Sequence, residues 1–256
     1  MIHFVGAGSG AADLITVRGM RFLQEADVII YAGSLVNPEL LDYKKESCLV
    51  YDSARMTLEE VLEVMFQAEA AGKMTVRLHT GDPCLYGAIR EQMDVLDEKG
   101  ISYDYCPGVS SFCGAAAALN LEYTLPQVSQ SVVITRMAGR TPVPEKEEIA
   151  SFAAHQATMV IFLSTGMLAE LQKRLMEGGY SPDTAAAIVY KATWPDQEAY
   201  VCTVSTLAET AALHNITKTA LIIVGDVVTH SSYERSKLYD PEFTTEFRQG
   251  RTDGDL

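Results

Sequence analysis

The chain has 256 residues, with 20 Lys and Arg against 34 Asp and Glu for a formal net charge of −14. That acidity speaks against nucleic acid as a partner but leaves room for an anionic small ligand, because a local group of arginines can outweigh a distant field inside a cleft. Five cysteines without a Cys-x-x-Cys pair, and five scattered histidines, point to a reduced cytosolic protein with no disulfide framework and no protein-bound metal.

The length suits one large domain or two small ones, and no apolar run is long enough to span a membrane. The amino terminus also lacks the cationic-then-apolar pattern of a secretory leader. Ile2 to Val5 predicts a first strand, followed by Gly6-Ala7-Gly8-Ser9-Gly10-Ala11. A helix starts near Asp13 and Thr16, with Leu14, Val17, Met20 and Leu23 as its buried face. Gly6, Gly8 and Ala11 fit a dinucleotide fingerprint, G-x-G-x-x-A. The second strand, Val28 to Tyr31, argues against one. Its carboxyl end reads Tyr31-Ala32-Gly33-Ser34, where a dehydrogenase needs an acid for the ribose. The glycine loop either admits a ligand closely or is a tight turn.

Asn37-Pro38 starts a short helix, and Cys48 to Tyr51 reads as a third strand. Thr57 to Glu60 is a capping box ahead of a helix with Leu58, Val61, Leu62, Met65 and Phe66 on one face. In Lys73–Gly87 a strand alternates Met74, Val76 and Leu78 with Thr75, Arg77 and His79. It breaks at Thr80-Gly81-Asp82-Pro83, and a helix is expected from Tyr86 to about Glu98. Loops after strands hold ligands in α/β folds, so this loop is a candidate site, with an ordinary turn as the alternative. Ser102 to Tyr105 is a strand, and Pro107-Gly108-Val109-Ser110-Ser111 leads into a helix from Phe112 to Leu119. The serines are candidate caps or ligand contacts.

Periodicity fades over 120–130, which is taken as a linker between domains at 1–119 and 131–230. The second domain opens with a strand, Ser131 to Thr135, and the loop Arg136-Met137-Ala138-Gly139-Arg140-Thr141-Pro142-Val143-Pro144. Its two arginines form either an anion clamp or a solvated basic loop. There follow a helix from Glu145 to Ala154 and a strand from Thr158 to Leu163. A helix on Leu168, Leu171 and Leu175 leads to the strand Ala185–Tyr190 with Lys191-Ala192-Thr193-Trp194-Pro195 at its end. A strand Tyr200–Thr203, a helix Leu207–Leu213 and a strand Leu221–Val224 complete it, and 231–256 reads as a polar tail. The fold class is therefore α/β, two α/β domains with a ligand cleft between them.

The loops in their order resemble the tetrapyrrole (corrin/porphyrin) methylase family. The resemblance rests on Gly6-Ala7-Gly8-Ser9-Gly10 with Asp13-Leu14-Ile15-Thr16, on His79-Thr80-Gly81-Asp82-Pro83 with Tyr86-Gly87, and on Pro107-Gly108-Val109-Ser110-Ser111. It runs from residue 2 to about 228. The segments Thr135–Pro144 and Val189–Asp196 resemble the branch that methylates C11 of precorrin-4 in cobalamin synthesis. The resemblance implies S-adenosylmethionine as methyl donor at Ser9, Thr80, Gly81, Asp82, Leu85, Ser110, Ser111, Leu163 and Ala192, held mostly by backbone groups. It also implies a carboxylate-rimmed tetrapyrrole substrate near Arg136, Arg140 and Lys191, and a cytoplasmic homodimer. Arg18, Arg77 and Arg90 are further candidate cations, each with an ordinary ion-pair reading beside it. Asp82 and Tyr86 are candidate proton acceptors, with no specific base singled out. The family's first loop reads Gly-x-Gly-Pro-Gly-Asp; here Ser9 replaces the proline and Ala11 the acid. Methylation at another ring position, or tetrapyrrole carriage without catalysis, are the alternatives.

Overall fold

The computed structural model describes residues 1–33, 35–229 and 233–251; Ser34, Ser231, Ser232 and 252–256, on which sequence readings fell, lie outside the described residues. The chain divides into two compact units. The first is Met1–Ala118 with Lys191–Glu198, and the second is Leu119–Tyr190 with the described residues from Ala199 on.

The first unit is an open parallel sheet of β1 (Ile2–Gly6), β2 (Val28–Tyr31), β3 (Leu49–Asp52), β4 (Thr75–His79) and β5 (Tyr103–Cys106), in the order β3-β2-β4-β1-β5. Between the strands run α1 (Val17–Glu25), α2 (Leu58–Ala70) and α3 (Arg90–Glu98), and α4 (Ser111–Ala118) follows β5. Parallel strands need crossovers, and the crossovers cover both faces. One face packs Val5, Leu23, Ile29, Leu40, Val76 and Leu78; the other packs Ile2, Phe4, Ile30, Val61, Met65 and Leu96. Thr57 caps α2 with both bonds of its capping box, as its sequence implies. Thr16 caps α1, with its hydroxyl accepting from Gly19 N.

Two local expectations are corrected here. Val17 does not lie on the buried face of α1. It is the first helical residue and is 62% exposed, while Gly19 and Leu23 turn inward. The helix after the Gly81 loop begins at Arg90 rather than Tyr86, because Tyr86 (φ 57°) and Ala88 (φ 49°) adopt left-handed angles. Gln92 holds that bend by donating from Nε2 to Ala88 O at 2.9 Å.

The alternation in β4 is not an alternation of core and solvent. All five residues are buried, so Thr75, Arg77 and His79 face a covered layer. Arg77 donates from Nε to Gln92 Oε1 at 3.1 Å and from Nη1 to Ile30 O at 3.3 Å. It is a buried structural cation, not a surface one, and burial lowers its pKa to about 10. His79 lies beside Phe4, and its Nε2 has no partner among the described residues. Burial, aided by the Arg77 charge, lowers its pKa to about 3.

The second unit is a mixed sheet of β6 (Val132–Arg136), β7 (Thr158–Phe162), β8 (Ala185–Tyr190), β9 (Glu198–Thr203) and β10 (Ala220–Val224), ordered β6-β7-β10-β8-β9. β6 and β7 are parallel, and β10 runs antiparallel to β7 and β8. Helices α5 (Ile149–Ala153), α6 (Leu168–Glu177) and α7 (Leu207–Leu213) pack on it around Met159, Ile161, Leu171, Ile188 and Ile222. The stretch expected as one helix from Glu145 to Ala154 is a 3-10 turn, Glu145–Glu147, followed by α5. Residues 119–130 carry buried Leu121, Tyr123 and Leu125, and Tyr123 O accepts from Thr158 Oγ1 at 3.0 Å. In the tail, Arg248 Nη2 donates to the carbonyls of Leu238, Asp240 and Phe243. None of the helices among the described residues is long and apolar enough to cross a membrane.

His79 makes stability depend on acid in a defined direction. The unfolded imidazole takes up a proton near pH 6.5, whereas the folded one stays neutral down to about 3. The unfolded state therefore binds more protons in that window, and stability falls as pH drops through it. His79→Leu is expected to be neutral or stabilising at pH 7, since it removes an unpartnered buried nitrogen. It should be more stabilising at pH 5, as read from urea midpoints at the two pH values.

Candidate functional site

In the first unit the carboxyl ends of β1, β4 and β5 converge backbone to backbone. Gly8 N donates to Gly81 O at 3.2 Å, Gly81 N to Gly8 O at 2.9 Å, and Ala7 N to His79 O at 2.7 Å. Gly108, just past β5, is wedged between the other two ends. A Cβ there would lie 2.2 Å from Gly81 O and 2.7 Å from Gly6 Cα. No side chain fits, so the sequence Pro107-Gly108 is a packing requirement.

Asp82 fastens the same loops from the side. Its Oδ1 accepts Cys84 N at 2.9 Å and the Tyr105 hydroxyl, and its Oδ2 accepts Gly108 N at 2.9 Å. Burial alone would raise its pKa, but the three hydrogen bonds outweigh that and hold the carboxyl below the usual carboxylate range. Burial and the neighbouring carboxylate push the Tyr105 phenol well up. Gly81 in turn lies against the start of α4, where a Cβ would sit 3.4 Å from Ser110 Cα and Ser111 N. At the start of α4 the carbonyl of Ser110 accepts Cys113 N at 3.0 Å.

The glycine loop is held by residues 191–198. Ser9 Oγ lies 3.1 Å from Thr193 Oγ1, and Ala11 N donates to the same oxygen at 3.1 Å. The Trp194 ring lies on Gly10, where a Cβ would approach Cδ1 to 2.3 Å. Lys191 Nζ stands 5.7 Å from that ring's centroid and pairs with Asp196 Oδ2 at 2.5 Å. Asn37 Nδ2 donates to Gly10 O at 2.9 Å. A cavity of about 350 Å³ beside this junction is lined by Asp13, Asn37, Glu39, Tyr43, Thr193 and Trp194, among others.

Of the residues expected in a site, Ser9, Thr80, Gly81, Asp82, Leu85, Ser110, Ser111, Lys191 and Ala192 all belong to the first unit. There Ser9 packs on Gly114 of α4, the helix that starts at Ser111. Leu85 N donates to Asp82 O, and Thr80 Oγ1 to Leu35 O at 3.1 Å. Leu163, Arg136 and Arg140 belong to the second unit. Leu163 follows β7 with φ 53° and is 65% exposed. The Arg136 guanidinium is engaged by its own loop, donating to the carbonyls of Met137, Thr141 and Pro142. It braces that loop rather than standing as a free clamp. Arg140 is exposed and has no partner among the described residues. Sequence reasoning missed Tyr105, Thr193 and Ser164. Ser164 is fully buried, accepts Met137 N at 2.9 Å, and ties the ends of β6 and β7. Tyr105 and Ser164 are ordinary polar residues at strand ends with no motif to mark them, and nothing within the segment Val189–Asp196 singles out Thr193.

The family model for tetrapyrrole (corrin/porphyrin) methylases matches residues 1–208. The chain belongs to the tetrapyrrole methylase family. It is 52% identical to the cobalt-precorrin-4 C(11)-methyltransferase of Methanocaldococcus jannaschii, over 97% of this chain and 96% of that one. A crystal structure of a cobalt precorrin-4 methyltransferase superposes with a TM-score of 0.87 at 43% identity, covering 89% of this chain and 95% of that one. A uroporphyrin-III C-methyltransferase from Thermus thermophilus, solved with S-adenosyl homocysteine, gives a TM-score of 0.73 at 25% identity, over 90% of this chain and 99% of that one.

Within this tetrapyrrole methylase, the departure at Ser9 has a physical role. A proline there could not offer the hydroxyl that meets Thr193. Two outcomes are expected. Gly108→Ala forces backbone apart and costs on the order of 3 kcal/mol, seen as a lower thermal midpoint. Thr193→Val strips two hydrogen bonds from the glycine loop, costing about 1–2 kcal/mol. It should also shift the emission of Trp194, the chain's single tryptophan.

Proposed function

We propose that this enzyme transfers a methyl group from S-adenosylmethionine to C11 of precorrin-4 or cobalt-precorrin-4 in cobalamin biosynthesis. The observation that carries the reading is the 52% identity, across nearly the full length of both chains, to an enzyme named for that reaction. The strand-end loops of the first unit support it physically.

S-adenosylmethionine, when bound, supplies a methyl group already activated on a sulfonium. The chain's own task is then to hold and orient, and good alignment of reacting atoms is worth roughly 7–11 kcal/mol. The residues present fit that task. Gly81 and Gly108 have no side chains, and Gly81 lies against Ser110 and Ser111 at the start of α4. Backbone groups of Thr80, Gly81, Asp82 and Leu85, with Ser9, Ser110, Ser111 and Ala192, are the proposed donor contacts.

No side chain here is built as a strong base. The Asp82 carboxylate accepts three hydrogen bonds and is held ionised, which makes it a weak proton acceptor at neutral pH. The enzyme works by positioning, without a dominant acid–base residue. For the substrate's carboxylates, Arg140 is the proposed cation of its loop, since Arg136 and Lys191 are engaged in shaping theirs. We further propose a cytoplasmic homodimer.

The test is to incubate the protein with methyl-labelled donor and precorrin-4, with and without cobalt, and to locate the new methyl by NMR. Label at C11 is the expected result. Label at C2, C7, C17 or C20 would move the enzyme to another branch, and no label with tight tetrapyrrole binding would make it a carrier. Arg140→Ala should raise the substrate KM severalfold, with donor affinity in calorimetry kept.

A further inference from the structure

The geometry points to Tyr105 and Asp82 as a positioning pair that sets how tightly the first unit grips the methyl donor. The inference rests on the donor reading above and adds to it a residue outside every motif. In the sheet order β4-β1-β5, strands β4 and β5 flank β1 and share no ladder. Within the sheet the two strands stand two spacings apart, about 9–10 Å, and their loops meet only past the end of β1, at Gly81 and Gly108. The Gly81 and Gly108 backbones pack in contact, but no backbone hydrogen bond among the described residues joins the β4 loop to the β5 loop; the hydrogen bonds between them come from a side chain.

Asp82 and Tyr105 make that link. The carboxylate leaves the β4 loop, takes Cys84 N from its own turn, and takes the Tyr105 hydroxyl and Gly108 N from β5 and its loop. All its strong donors are protein groups, and its lowered pKa keeps it a charged acceptor at neutral pH. Tyr105 is 36% exposed, so its hydroxyl lies at the rim of the fold rather than in the core. A rim hydroxyl contributes little to global packing. It acts by fixing Gly81 against Ser110 and Ser111, the backbone surface that meets the donor.

The variant Tyr105→Phe keeps the ring and removes the bond. Donor and adenosylhomocysteine affinity by calorimetry should weaken about tenfold. The donor KM should rise in parallel, with kcat at saturating donor within about threefold of the parent and an unshifted pH profile between 6 and 9. In ligand-free protein the amides of Cys84 and Gly108 should exchange faster with deuterium. In an Asp82→Asn background the same change should weaken binding little further, because both substitutions break one link. Unchanged affinity with Gly108 still protected overturns the inference. So does a fall in kcat at unchanged donor affinity, which would put the pair in the chemistry. Failure of the parent protein to bind S-adenosylmethionine would instead sink the functional reading. The exchange at Cys84 and Gly108 would then still decide whether Tyr105 ties the loops.

Discussion

The meeting of three strand ends at Gly6, Gly81 and Gly108 is the constraint on which the first unit depends. These backbones touch closely enough that a carbon added at Gly6 or Gly108 would fall 2.2–2.9 Å from its neighbours. Close approach makes three separate loops into one surface. Peptide groups at such a surface are able to hold a ligand through fixed dipoles, with no proton exchange. That suits a ligand whose reactivity is already built in.

Side chains then do what the backbone cannot. Asp82 joins loops whose strands are not neighbours, and Ser164 does a similar job in the second unit, between β6 and β7. Thr193 and Trp194 hold the glycine loop in place from a segment distant in sequence. In each case one oxygen or one ring fixes a loop. The residues that shape the site are accordingly small in number and undistinguished in type.

The charge distribution follows the same division. Several cations that a sequence would offer to an anionic substrate are occupied by protein groups. Arg77 is buried among carbonyl and amide oxygens, Arg136 is bound to its own loop, and Lys191 is paired with Asp196. Burying Arg77 without a carboxylate partner is costly, and its hydrogen bonds to Ile30 O and Gln92 offset part of that. Arg140 stays exposed and unpaired among the described residues, so its charge is not taken up by the fold.

Much of this molecule was legible in its sequence. The α/β class, the strands and most helices came from periodicity and from caps such as Thr57 and Asn37, because those signals act within a few residues. The family came from loops kept in order: Gly6 to Gly10, Gly81 to Pro83, Pro107 to Ser111. What the sequence could not decide was which neighbour each polar group would meet. Val17 looked like a core residue by spacing, but its turn faces water. Tyr86 looked helical, but Gln92 holds the bend beyond it. Arg77 looked like a surface cation until helices covered both faces of β4. Asp82 gave no sign in sequence that its carboxylate would meet Tyr105 and Gly108, which β5 brings to it from across β1. Local pattern reports the period of burial and the ends of elements, since both depend on adjacent residues. Partners 20 to 180 positions away are chosen only when the sheet order is set, and that choice decides whether a charge is free for chemistry or spent on structure.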